Sequence, residues 1–196
     1  PKDYDPMAPP HTDRFDLTGR VSLVTGATKG LGRAMVQGLA EAGSDVVVVS
    51  RKLDLCEQVA AEVAESTGRR ALPLACHMGE WDAIPELVDR VYKEFGRIDV
   101  LVNNAGINPA MTPITEISEA YFDKLCSVNL KGPLRLAALV APRMGEHGGG
   151  SIINVATLGA YAAGPGVGTY TGLKAALLNF SKTMAAVQAK THGMRN

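Results

Sequence analysis

The chain has 196 residues, 46% of them hydrophobic and 20% charged; that length suffices for one domain burying roughly 70% of its unfolded surface, and the composition excludes a disordered or collagen-like chain. Twenty Lys and Arg balance twenty Asp and Glu, so no global field draws the protein to nucleic acid or to an anionic membrane. Cys56, Cys76 and Cys126 are too few and too scattered for a disulfide framework or a zinc site and suit a reducing, cytoplasmic setting, and no apolar run reaches the ~20 residues that span a bilayer.

Residues 1–14, with four prolines among the first ten and no apolar periodicity, read as a flexible tail ahead of a single domain over 15–196. Short β-branched runs follow at 21–25 (VSLVT), 45–50 (DVVVVS), 70–75 (RALPLA), 98–103 (IDVLVN) and 151–156 (SIINVA). Their unbroken apolar character predicts parallel strands covered on both faces. Helical periods lie between and after them, near 30–42, 53–66, 81–95, 118–145 and 168–189. The third places Ile84, Leu87, Val88, Val91 and Phe95 on one face, and the last Leu173, Leu177, Phe180, Met184 and Val187. The repeated strand–helix order with right-handed crossovers predicts an α/β fold, a doubly wound parallel sheet with helices on both faces.

TGATKGLG at 25–32 falls between the first strand and the first helix, where a phosphate-binding turn belongs. Gly26, Gly30 and Gly32, with Thr28 and Leu31 among them, let the backbone turn tightly and approach a pyrophosphate at the helix N-terminus; the alternative is a plain βα turn with close helix packing. After the second strand a site for NAD(H) needs an acidic group for the ribose 2′-hydroxyl, and the sequence supplies Ser50 and Arg51 instead. With Lys29 in the glycine loop, two cations converge where a 2′-phosphate would sit, which favours NADP(H) over NAD(H).

Farther along, Phe122, Leu125, Asn129 and Leu136 share a 3,4,7 spacing, so an amide lies in an otherwise apolar helix seam, and Gly132 and Pro133 are expected to interrupt the helix one turn later. Tyr170 and Lys174 are four residues apart on one helix face. A phenol is a poor base at neutral pH, but a neighbouring ammonium stabilises phenolate and lowers its pKa by ~1 to 3 units, toward the range of a general acid/base.

Taken together, TGATKGLG, NNAG (103–106), VNLKG (128–132) and YTGLK (170–174) make the chain resemble the short-chain dehydrogenase/reductase family. The resemblance, which runs from about residue 15 to 190, implies a Rossmann-type fold, a nicotinamide dinucleotide, and interconversion of carbonyl and alcohol substrates. It implies that Asn104, Ala105 and Gly106 line the floor of the cofactor site, although Asn103 and Asn104 also read as strand-end turn residues. It further implies a catalytic tetrad: Tyr170 protonates the carbonyl oxygen, Thr157 holds that oxygen, Lys174 also bonds the nicotinamide ribose, and Asn129 holds a water that links the lysine to solvent.

The sequence departs from the family pattern twice. Thr157 stands thirteen residues before Tyr170, where relatives carry serine; it keeps the hydroxyl, adds a β-methyl, and also reads as a capping residue. His77, followed by Met78, stands where relatives carry an aspartate that contacts adenine; the histidine can donate or accept one bond there or sit exposed at the strand end, and the exposed ring is the favoured expectation. The resemblance also implies a sixth strand, a Pro-Gly loop, a substrate lid and a seventh strand beyond Asn196, which leaves the fifth strand an open edge. A homodimer or homotetramer paired through helices 118–145 and 168–189 is expected. A module that binds dinucleotide or partners with little or no turnover is the alternative reading.

Overall fold

The computed structural model describes residues 15–108, 111–162 and 164–192, with side chains described as far as residue 186. The tail expected over 1–14 and the side chain of Val187 lie outside these residues. Strands β1 (Val21–Thr25), β2 (Asp45–Ser50), β3 (Ala71–Ala75), β4 (Val100–Asn103) and β5 (Ser151–Asn154) form one parallel sheet in the order β3-β2-β1-β4-β5. Between and after them run α1 (Gly30–Glu41), α2 (Leu53–Thr67), α3 (Ile84–Phe95), α4 (Glu119–Cys126), α5 (Gly132–Glu146) and α6 (Gly168–His192). The sheet is doubly wound, as expected, and the order turns back between β1 and β4, so their C-terminal ends open a crevice.

Successive residues of each central strand point to opposite faces, and both faces are buried. Leu23, Val47, Val49 and Leu101 pack beneath α3 and α5, against Leu87, Val91, Leu136 and Val140. Val24, Val46, Val48 and Val102 pack on the other face beneath α1 and α2, against Val36, Ala40, Val59 and Val63. Both faces exclude water, which is why the strands read as continuous apolar runs. Pro73 lies in β3, the outermost strand, where a missing N–H leaves no ladder bond unmade.

At the opposite end of the sheet, Asp99 is buried just before β4. It accepts bonds from the Val21 N–H (2.9 Å), Arg20 (3.0 Å) and Arg97 (2.8 and 2.5 Å). Burial pushes its carboxyl up, but these donors outweigh that and hold it below the ordinary 3.8.

The helix expected over 118–145 is divided. Between α4 and α5 lies a π-helical segment, Ser127–Lys131, in which the Gly132 N–H reaches back to the Ser127 carbonyl. Gly132 and Pro133 therefore open α5 rather than ending a helix. Since Pro133 has no N–H, the carbonyl of Asn129 lacks the donor that an α-helix would aim at it. Leu125, Asn129 and Leu136 are fully buried, whereas Phe122, expected in the same seam, is 45% exposed at its flank. In α6, Leu173, Lys174 and Leu177 form the buried stripe, and Phe180 lies beside it, 43% exposed. Among the described residues no helix is long and apolar enough to cross a membrane.

Candidate active site

The crevice between β1 and β4 is floored by the glycine loop. Gly26 takes φ +65° and Gly30 φ +53°, conformations that glycine adopts without strain. At Gly32 a Cβ would lie 2.2 Å from the Gly26 carbonyl oxygen, so only glycine lets the start of α1 lie so close beneath the loop. Lys29 occupies the N-cap with extended backbone and no side-chain cap, which leaves the first N–H groups of α1 without helical acceptors.

Two side chains hold this loop against β4. Thr25 Oγ1 accepts the N–H groups of Asn104 and Ala105, both at 3.0 Å, and Asn104 Nδ2 donates to the carbonyls of Thr25 (2.9 Å) and Gly26 (3.2 Å). Asn103 Nδ2 donates instead to Asn154 Oδ1 on β5 at 2.9 Å. The NNAG segment is thus a brace as well as a floor. At the end of β2, Ser50 Oγ accepts from Thr28 Oγ1 at 3.2 Å, and Arg51 follows, exposed like Lys29. Neither cation is in an ion pair with another described residue.

These elements enclose a cavity of about 460 Å³. Its lining includes Gly26, Thr28, Lys29, Gly30, Leu31, Gly32, Ser50, Arg51, His77, Met78, Asn104, Ala105 and Gly106, with Cys76, Ile107 and Val128 besides. Among the described residues no carboxylate lines the cavity.

Of the four residues of the expected tetrad, Asn129 and Lys174 meet beside Gly106 at the β4 end of this cavity, while Thr157 lies at the turn after β5 and Tyr170 at the start of α6. Asn129 is fully buried; its Oδ1 accepts the Ile107 N–H at 3.1 Å and its Nδ2 donates to the carbonyls of Ile107 (2.8 Å) and Leu125 (3.0 Å). A Cβ built on Gly106 would lie 3.0 Å from Asn129 Oδ1 and 3.7 Å from Lys174 Nζ, so these two side chains meet the cavity at its glycine. Lys174 is 2% exposed, and its Nζ donates to the Val155 carbonyl at 2.8 Å. Burial pushes this ammonium from 10.5 down to about 8. Thr157 Oγ1 accepts the Gly159 N–H at 3.3 Å, the capping arrangement foreseen for it. Tyr170 is half-buried in the first turn of α6.

Matches to known proteins accord with this geometry. The family model for short chain dehydrogenases matches residues 20–195. The chain belongs to the short-chain dehydrogenase family. Human dehydrogenase/reductase SDR family member 4 is 37% identical over 174 residues, which cover 89% of this chain and 62% of that protein. The Escherichia coli 2-dehydro-3-deoxy-D-gluconate 5-dehydrogenase is 37% identical over 179 residues, 90% of this chain and 68% of that one. The present chain thus spans about 62% of the length of the first of these relatives. Among solved structures, L-sorbose reductase from Gluconobacter frateurii, complexed with NADPH and L-sorbose, superposes with a TM-score of 0.88 at 31% identity, covering 92% of this chain and 68% of that one. An NAD⁺-bound xylitol dehydrogenase gives 0.86 at 29%, covering 91% and 68%.

In this short-chain dehydrogenase two expectations are corrected. His77 is half-buried rather than an exposed strand-end ring; its Nδ1 accepts the Gly79 N–H at 3.0 Å, which folds the ring over its own turn. For Tyr170, burial raises the phenol above its ordinary value of 10.0, and no charge from Lys174 lowers it. Lys174 Nζ donates to the Val155 carbonyl, and burial lowers its own pKa to about 8. Cys76, Ile107 and Val128 went unread in the sequence although each adjoins a residue that was read; their apolar side chains carry no chemical signature of a site.

Proposed function

We propose that the protein is an oxidoreductase that interconverts a carbonyl and an alcohol with NADP(H), Tyr170 acting as the general acid/base. The observation that carries this reading is the meeting of two features at Gly106: a carboxylate-free cavity above a bare helix N-terminus, and the buried pair Asn129 and Lys174 at its end. The residues fit a dinucleotide, because a Cβ at Gly32 would fill the cradle and the N–H groups opening α1 suit a pyrophosphate. Gly26, Thr28, Gly30, Leu31 and Gly32 would hold the pyrophosphate, and Ser50, Lys29 and Arg51 the ribose with its 2′-phosphate. Met78, Asn104, Ala105 and Gly106 would form the remaining wall. The NADPH bound to the L-sorbose reductase supports the phosphorylated form, and the NAD⁺ bound to xylitol dehydrogenase makes the choice one to test.

When bound, the dinucleotide supplies or accepts hydride. The chain's own part is positioning and proton transfer. Tyr170 gives its phenolic proton to the substrate oxygen in reduction and takes it back in oxidation. Thr157 Oγ1 donates to that same oxygen, its proton being free because the Gly159 N–H uses only a lone pair. Lys174, one turn beyond Tyr170 and beside Gly106, would donate to the cofactor ribose. The Asn129 carbonyl, relieved of its helical donor by Pro133, can hold the water that passes protons onward.

The test is Tyr170→Phe in a panel of ketones and alcohols: turnover falls by at least about a hundredfold while NADPH affinity changes little. Retained turnover removes Tyr170 from this role. Absence of turnover by the unaltered chain, with NADPH still bound, would favour the binding-module reading. We further propose a cytoplasmic homodimer or homotetramer paired through α4–α5 and α6, supported by three free cysteines and by the exposed rings of Phe122 and Phe180. Sedimentation equilibrium tests it, and a monomer at all concentrations refutes it.

A further inference from the structure

His77 is the one cavity-lining residue whose ring is fixed by the structure and whose remaining polar atom has no partner among the described residues. Its place in the sheet says what it would face. The glycine loop lies over β1 and the cationic ribose region over the end of β2, and β3 is the next strand outward. Cys76, His77 and Met78 close the cavity on that side, and a dinucleotide with its ribose over the end of β2 would have its base lie against them.

That turn is rigid. The Cys76 N–H donates to the Ser50 carbonyl at 2.8 Å, and the His77 carbonyl accepts the Glu80 N–H at 2.9 Å. Gly132 packs so close that a Cβ on it would lie 2.0 Å from the Met78 carbonyl oxygen. A Cβ on Gly79 would lie 2.9 Å from His77 Cε1 and 3.0 Å from Nδ1, so the ring rests against a glycine. With Nδ1 accepting the Gly79 N–H at 3.0 Å, the neutral imidazole must carry its proton on Nε2. The ring can then offer the base a donor and no acceptor. Burial raises the neighbouring Cys76 thiol to about 11, so at neutral pH it contributes an apolar surface, and no carboxylate lines the cavity.

A donor suits a purine ring nitrogen or a 6-oxo group, and opposes the 6-amino group of adenine. Resting on the dinucleotide reading above, we propose that His77 reads the purine base as a hydrogen-bond donor through Nε2–H, so that the site accepts a 6-oxopurine dinucleotide about as readily as an adenine one. An aspartate at 77 would still accept the Gly79 N–H, while its second oxygen would offer the 6-amino group an acceptor.

The experiment compares dissociation constants for NADPH and its reduced hypoxanthine counterpart, by nucleotide fluorescence, in the unaltered chain and in His77→Asp. The two should bind within about threefold of each other in the unaltered chain, and His77→Asp should shift the ratio toward adenine by about tenfold, the worth of one charge-assisted hydrogen bond. Nitrogen-15 spectra of the unaltered protein should show the Nε2–H tautomer of His77, with Nε2 moving when NADPH is added. A tenfold or greater preference for adenine in the unaltered chain, an unchanged ratio in His77→Asp, or an Nδ1–H tautomer overturns the donor role and leaves the dinucleotide reading standing. Failure of both nucleotides to bind overturns both.

Discussion

Replacing Lys174 by Met isolates the cost of burying the ammonium. Lys174 is 2% exposed, and burial lowers its pKa from 10.5 to about 8. Between those two pH values the unfolded chain binds a proton that the folded chain has released, so unfolding free energy rises with pH. Below about 8 both states are protonated and the penalty is carried in full. At 1.36 kcal/mol per pH unit the gap amounts to about 3 kcal/mol. Lys174→Met also removes the 2.8 Å bond to the Val155 carbonyl, a loss of about 1–3 kcal/mol that is the same at both ends of the range. The pH-dependent part is therefore separable. Urea unfolding of both proteins from pH 7 to 10.5, followed by the fluorescence of the single tryptophan, Trp81, gives the difference between them as a function of pH. That difference should move by about 3 kcal/mol in favour of the lysine protein as pH rises through the range, and groups common to both proteins cancel. Parallel stability curves would refute the reasoning, since the lysine would then titrate alike in folded and unfolded chains.

Three other outcomes follow from the same geometry. Lys29→Ala and Arg51→Ala should each weaken NADPH roughly tenfold and leave NADH little changed, by titration at fixed salt; tighter NADH binding by the unaltered chain would sink the charge argument. Gly32→Ala drives a methyl to 2.2 Å from the Gly26 oxygen and 2.6 Å from Asn104 Nδ2 and should cost about 1–3 kcal/mol along with nucleotide binding. Gly38→Ala in the same helix meets nothing within 4 Å and should gain up to about 1 kcal/mol, so equal melting shifts for the two would be inconsistent with the close packing. Asp99, held below 3.8 by Arg97, the Val21 N–H and Arg20 against the opposing effect of burial, stabilises the fold above that value and loses its contribution as pH falls below it. Asp99→Asn should cost about 2 kcal/mol at pH 7, and acid titrations of the two proteins should converge below pH 3.8; a constant gap would contradict the linkage.

The order of elements was legible because both sheet faces are buried, so that β1 and β2 show no alternation and stand out as runs. The site was legible where chemistry depends on spacing along one element, as in the glycine loop or the Tyr170 and Lys174 pair. It was not legible where a side chain answers to a backbone group distant in sequence. Nothing in YTGLK says that Lys174 Nζ donates to the Val155 carbonyl, nineteen residues back. The π segment leaves no periodic trace over five residues. Its one sign, a proline placed four residues after Asn129, reads equally well as a helix break. His77 was misjudged because its burial comes from the Gly79 N–H and from the absence of a side chain at 79, neither of which hydropathy registers. Phe122 and Phe180 fit a helical period but stand at the margin of their stripes, where period alone does not decide exposure.

The five residues 103–107, from the last residue of β4 onward, do more to build the site than either end of it. Asn103 braces β5, Asn104 and Ala105 brace the glycine loop through Thr25, Gly106 leaves the room beside Asn129 Oδ1 and Lys174 Nζ that a Cβ would take, and Ile107 is clamped by Asn129. The half of the crevice suited to a nucleotide and the half suited to proton transfer thus share one short backbone segment. Its conformation is fixed from both sides by buried amides, which make directional bonds that an apolar side chain of equal size would not replace. Asn129 is fully buried within the π segment, and Pro133 withholds the donor that an α-helix would aim at its carbonyl. A regular α-helix through 118–145 would turn the Asn129 amide to a different angle about the helix axis from the one that meets Ile107. The irregularity in the helix therefore belongs to the construction of the site rather than to a local failure of packing.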